Sequence, residues 1–174
     1  MPSTDRPPVD IRPAAPADVP AIVALIKALA DYEKLAHEVT GSPDDLAAAL
    51  FGPRPYAEAV LAWADGQPVG MALFFHNFST FLMKPGLYLE DLFVQPDYRG
   101  QGIGKALLLY VGKLALERGC GRFEWSVLDW NAPAIAFYQS MGAEIKPEWQ
   151  TCRVTGAALE AFSPFHRYDS AQSV

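Results

Sequence analysis

The chain predicts a mixed α/β or α+β domain, and three observations carry that reading. Apolar residues recur at helical spacing in one long early segment. Two apolar runs meet at an Asp-Gly dipeptide, as the arms of a hairpin do. Beyond the hairpin, strand-like and helix-like segments alternate.

Residues 9–14, VDIRPA, read as a short strand. In the segment that follows, Val19, Ile22, Val23, Leu25, Ile26 and Leu29 keep a 3.6-residue period, with Asp18 placed as an N-cap. A second helix is expected from Ser42 to Phe51, with Ser42 as cap, Pro43 in the first turn and Asp45 completing a capping box. Asp65-Gly66 joins the two hairpin strands, and GLYLEDLFV is a further strand closed off by Pro96. A helix follows that stops at Gly119, then a strand in RFEWSVLD, then a helix capped by Asn131, with Pro133 in its first turn and Gly142 as its stop. EWQTCRVTG is expected as a last strand and ALEAF as a short helix.

At 174 residues and 51% hydrophobic, the chain can bury one sizeable core. The expected domain runs over 9–162, with flexible ends at 1–8 and 163–174. The formal charge is −6, and no basic stretch is interleaved with aromatic residues, so nucleic acid is not the expected partner. An acidic surface can steer small cations, and it also simply confers solubility. No apolar run reaches membrane-spanning length. Cys120 and Cys152 lie far apart with no metal-ligand spacing, which suits reduced thiols in the cytoplasm, and no metal is expected.

The stretch DYRGQGIGKALL, residues 97–108, places glycines between a strand and a helix. It is not a nucleoside-triphosphate loop: Ala106 follows Gly104-Lys105, and Arg99 stands where the first glycine belongs. It is not a dinucleotide fingerprint either, because Lys105 and Leu107 occupy the third-glycine positions of its two possible registers. What remains is Arg99-x-x-Gly102-x-Gly104 at the start of a helix. Unpaired amides and the helix dipole can meet an anion there, and glycine removes the Cβ that would hold it off.

This pattern resembles the loop signature of the GNAT superfamily of N-acetyltransferases. NAPAIAFYQSMGA matches that family's second block at the expected separation. IRPAAPADVPAIVALIKALADYEK, YLEDLFVQPDYRGQGIG and WNAPAIAFYQSMGA look more closely like its diamine (spermidine/spermine) and thialysine N-acetyltransferase branch. The resemblance implies a mostly antiparallel twisted sheet with helices on both faces, acetyl-CoA as co-substrate, a small amine acceptor and a homodimer. It implies transfer of the acetyl group in a ternary complex, since neither cysteine falls at a nucleophile position. Acetylation of a protein or peptide amine, or an acetyl-CoA-binding module without catalysis, are the alternatives.

The roles implied by the resemblance fall on particular residues. Arg99, Gly100, Gln101, Gly102, Ile103, Gly104 and Lys105 would cradle the pyrophosphate. The backbone of Leu92, Phe93 and Val94 would pair with the pantetheine arm, and Asn131, Pro133 and Ala134 would meet it from the later helix. Tyr138 would protonate the departing thiolate, on one helical stripe with Asn131, Ala134 and Met141. Glu90 is the candidate base, a carboxylate inside an apolar run; a solvated edge-strand glutamate is the other reading. Strict alternation puts Tyr88, Glu90, Leu92 and Val94 on one face and Leu89, Asp91 and Phe93 on the other, so Asp91 joins Glu90 only across a bulge. Tyr32 and Glu33 would contribute to the amine site; Asp31, Glu33 and Glu38 together form an acidic helix end, which a solvated helix face would also show, and Glu148 offers a further carboxylate. One acid that the polyamine branch carries upstream of the strand glutamate is replaced by Ser79 and Thr80. Its absence argues for a shorter amine, a diamine, or a lysine analogue whose carboxylate Lys84 would attract.

Overall fold

The computed structural model describes residues 9–162, so the expectations for 1–8 and 163–174 lie outside it. The described residues fall into two compact units divided between Ser126 and Val127.

The first unit contains β1 (Asp10–Pro13), α1 (Val19–Tyr32), α2 (Pro43–Phe51), β2 (Glu58–Ala64), β3 (Gln67–Ser79), β4 (Lys84–Val94), α3 (Ile103–Glu117) and β5 (Arg122–Trp125). Its sheet runs in the order β1-β2-β3-β4-β5. The first four strands pair antiparallel, and β5 lies parallel to β4. Asp65 and Gly66, with φ of 49° and 73°, make the tight β2–β3 turn.

Each face of this sheet carries a helix layer. Leu61, Met71, Leu73 and Phe93 form one buried cluster with Ile22 and Leu25 of α1 and Leu50 of α2. Gly70 and Val94 face the opposite way, where the Leu107 side chain of α3 comes so close that a Cβ on Gly70 would lie 3.2 Å from it. Ser42 caps α2 in full: its hydroxyl accepts from Asp45 N at 3.1 Å, and Asp45 accepts from Ser42 N at 2.9 Å. Asp18 acts one step earlier than its sequence position suggests. Its carboxylate accepts from Ala15 N at 2.8 Å, closing the 3-10 turn that leads into α1.

The second unit holds α4 (Ala132–Ser140) and α5 (Gly156–Glu160). Asn131 caps α4 by accepting from Ala134 N at 3.3 Å, and Gly142 ends the segment at φ 90°. The strand expected at 148–156 does not form: residues 150–155 carry no regular structure, and β5 is the last strand of the sheet. An apolar alternation makes a strand only when a neighbouring strand satisfies its backbone groups, and the pattern itself supplies no neighbour.

Leu61 is fully buried between α1 and the sheet. Leu61→Ala is expected to lower unfolding stability by about 2–5 kcal/mol, read from denaturant titration; a loss below 0.5 kcal/mol would place this residue outside the core.

Candidate active site

The site grows from a break in the ladder of β4. Leu73 on β3 pairs with Asp91, whereas the next residue, Phe74, pairs with Leu89. Glu90 is the extra residue of a β-bulge, so Glu90 and Asp91 together oppose Leu73. Paired residues share a sheet face, so the bulge resets the alternation. Asp91 and Phe93 follow Leu73 and Met71 onto the α1/α2 face, together with Tyr88 opposite Phe75. Leu89, Leu92 and Val94 face the α3 side. The strict alternation expected from the sequence holds through Leu89 and is corrected from Asp91 onward, across the bulge that the sequence reading leaves open. The bulge moves Asp91 from the opposite face into the group.

That placement decides the electrostatics. Glu90 is exposed, while Asp91 is largely enclosed beside the C-terminal end of α1. Burial pushes the Asp91 carboxyl up to about 6, and the neighbouring charges of Glu90 and Glu33 push the same way. Glu33, next to the end of α1, is itself raised by burial. The acids read together from the sequence at this helix end separate here. Asp31 is exposed, and Glu38 pairs with His37 at 3.3 Å in solvent.

Two features beside this carboxylate group suit a long anionic cofactor. First, β5 pairs with β4 only over Gly86–Leu89, so from Glu90 onward that edge of β4 has no strand partner among the described residues. Gln95 N donates to Val69 O at 2.9 Å, which by alternation turns the backbone groups of Phe93 toward β3 and those of Leu92 and Val94 toward the open edge. Second, Gly100 and Gly102 adopt φ of 72° and 82°, and a Cβ on either would meet no protein atom within 4 Å. These glycines are set by backbone conformation, and the space above them is open. The first α3 hydrogen bond runs from Ala106 N to Gly102 O, which leaves the amides from Gly102 to Lys105 without helical acceptors. Buried Ile103 anchors the turn in the core.

The Arg99 side chain bends back from the turn over the end of β4. Its Nε donates to Val94 O at 2.9 Å. Its guanidinium lies 4.4 Å from the centroid of the Tyr32 ring and 5.5 Å from that of Phe93. No spacing rule announces this reach, because it depends on where α1 ends against β4. Gln101 turns back toward Asp97 O at 3.4 Å, and Lys105 is exposed.

Lys84 opens β4 six residues before Glu90, roughly 20 Å away at about 3.3 Å per residue. Ser79 is buried in the β3–β4 turn, where its hydroxyl accepts from Leu82 N at 3.3 Å. Within one chain, neither Lys84 nor an acid near position 80 reaches a small molecule held at Glu90.

In the second unit, Asn131, Ala134, Tyr138 and Met141 are all half-buried, and the Tyr138 ring lies 5.3 Å from that of Phe137. Pro133 and Glu148 are exposed. Among the described residues, no cluster of His, Cys, Asp and Glu could hold a metal ion, and Cys120 and Cys152 are free thiols.

Residues 24–143 match the model of the acetyltransferase (GNAT) family. The chain belongs to the GNAT acetyltransferase family. It is similar to the L-ornithine N5-acetyltransferase of Arabidopsis thaliana, with 35% identity covering 87% of this chain and 86% of the relative. It is 38% identical to the thialysine N-epsilon-acetyltransferase of Sus scrofa, covering 86% and 94%. Its fold matches an integron cassette protein of V. cholerae at a TM-score of 0.76 and 26% identity, covering 90% and 98%. As a GNAT enzyme it draws its acyl group from acetyl-CoA, and the open β4 edge and the glycine turn fit that donor.

Asp91 also makes a claim on stability. A carboxyl titrating near 6 when folded and near 3.8 when unfolded costs the fold about 3 kcal/mol at neutral pH, a penalty absent below 3.8 and complete above about 6. Asp91→Asn is therefore expected to stabilise the protein by about 1–3 kcal/mol at pH 8, with the gain shrinking as pH falls through 6. Denaturant titrations across pH measure this, and a variant that is neutral or destabilised at pH 8 contradicts the burial of a charged Asp91.

Proposed function

We propose that residues 9–162 act as one catalytic domain that moves the acetyl group of acetyl-CoA onto the primary amine of a small molecule: a diamine, a polyamine or a lysine analogue. The observation that carries this reading is the bulge, which sets the carboxylates of Glu90 and Asp91 beside the open edge of β4. The family match spans the boundary between the two units and so supports a single working domain. The relatives that act on ornithine and thialysine support a small amine acceptor.

Acetyl-CoA supplies an activated thioester, and the chain's own groups do the rest. Glu33, Glu90 and Asp91 attract the substrate ammonium. Glu90 accepts its proton directly or through a water, with Asp91 next to it as a second acceptor poised nearer neutrality. An amide of Leu92 or Val94 on the open edge polarises the thioester carbonyl. The amides from Gly102 to Lys105 hold the pyrophosphate. Asn131, Pro133 and Ala134 contact the pantetheine, and the Tyr138 hydroxyl protonates the departing thiolate. Transfer is direct, and neither Cys120 nor Cys152 takes part. We read the enzyme as a cytoplasmic homodimer, a reading supported by its two free thiols and by the exposed Phe78, Phe81, Leu82 and Met83 around the β3–β4 turn.

Release of free CoA, followed with acetyl-CoA and a panel of diamines, polyamines, amino acids and thialysine, tests this reading. Turnover with at least one small amine is expected. The kcat/KM of that amine should fall as pH drops through about 6, where Asp91 becomes neutral. Tight acetyl-CoA binding without turnover of any amine would defeat the reading.

A further inference from the structure

We infer that Phe75 and Tyr88 form an apolar track for the alkyl chain that carries the acceptor's amine, and so set which chain lengths the enzyme prefers. The inference rests on the small-amine reading and sharpens it.

The α1/α2 face of the sheet is covered only in part. Met71, Leu73 and Phe93 lie in the buried cluster beneath the helices, and Asp91 stands on the same face opposite Leu73. The next row along the strands is Phe75 opposite Tyr88. Both stand outside that cluster and are half-buried. Their ring centroids are 5.2 Å apart. The hydroxyls of Tyr88 and Ser126 share a hydrogen bond of 2.8 Å. Tyr88 pairs in parallel with Glu124, so Ser126, two residues on, stands level with Glu90. The Tyr88 ring is thus held by Phe75 on one side and by its hydroxyl on the other, and it leans toward the carboxylates.

The track has a beginning and an end. Phe75 follows Leu73 by two residues, roughly 7 Å along the strand from the row of Asp91. One row further, Asn77, Gly86 and Arg122 are aligned across the three strands. Asn77 Nδ2 donates to Glu124 Oε2 at 3.0 Å, and Arg122 Nε lies 2.8 Å from the same oxygen. Glu124, beside Tyr88, is therefore already engaged by a cation and an amide. An acceptor whose ammonium meets Asp91 and Glu90 has one row of aromatic surface within reach and polar groups beyond it. Methylene groups gain by leaving water for that surface and gain little past it.

Straight-chain monoamines from ethylamine to pentylamine read this track without a second charged group. Their Ki values are measured as competitors of whichever amine in the panel turns over. In the wild-type protein Ki is expected to fall roughly threefold to fourfold per methylene. Tyr88→Phe keeps the ring and should keep that slope. Tyr88→Ser and Phe75→Ser each remove one ring and should flatten it below twofold. Phe75→Leu, which keeps an apolar side chain but shortens the track, should lower the slope as a milder variant. The slope within one variant does not depend on how much of that variant folds. Wild-type Ki values within twofold across the series, no competition by any monoamine, or an unchanged slope in the Phe75 and Tyr88 variants that remove a ring overturns the inference and leaves the acetyltransferase reading standing. Turnover of no amine in the full panel, with acetyl-CoA bound, removes that reading and this inference with it.

Discussion

One extra residue in β4 decides which side chains meet at the candidate site. Without the bulge, Glu90 and Asp91 would lie on opposite faces of the sheet, one toward α1 and the other toward α3. With it, both oppose Leu73, and Asp91 comes into the electrostatic range of Glu33. The same point of the strand marks where β5 stops pairing. An irregular ladder thus brings two carboxylates beside an open backbone edge, the arrangement on which the proposed acetyl transfer relies. The enclosure of Asp91 runs against the stability of the fold, as is common where a site demands an unsolvated charge.

Charge is distributed along this face with some economy. The acids gather where α1 ends against the bulge. Arg99 reaches the same face from the cofactor turn and is held by the Tyr32 ring and the Val94 carbonyl. Ion pairs elsewhere serve the framework. Arg118 grips Glu58 through two bonds of 2.6 and 2.8 Å and holds that carboxyl below its ordinary range. Arg122 meets Glu124 at 2.8 Å on the edge strand. Neither pair appears among the causes that shift Asp91.

Much of the framework could be read from local rules. The Asp65-Gly66 turn, the Ser42 capping box, the Asn131 cap and the glycine stops at 119 and 142 are decided by a few adjacent residues, and each stands where those residues place it. The glycine turn was legible for the same reason. Long-range pairing was not. A bulge shifts strand phase by one residue without altering composition, so the apolar run around Glu90 does not locate it, and the faces derived by strict alternation are reversed from Asp91 onward. The apolar pattern at 148–156 suggested a strand that lacks a partner. The reach of Arg99 to Tyr32 depends on two segments far apart in sequence, and motif spacing is silent on it. Lys84, close to Glu90 in number, proved remote because an extended strand lengthens by about 3.3 Å per residue.

The most direct measurement of this account is a crystal structure of the protein with coenzyme A and L-ornithine or another amine that it acetylates. The account predicts the pyrophosphate on the amides from Gly102 to Lys105, the pantetheine along the β4 edge at Leu92 and Val94, and the reacting nitrogen within hydrogen-bond reach of Glu90 or Asp91, directly or through one water. A nitrogen bound away from both carboxylates, or a pantetheine that does not follow the strand past the bulge, would contradict it.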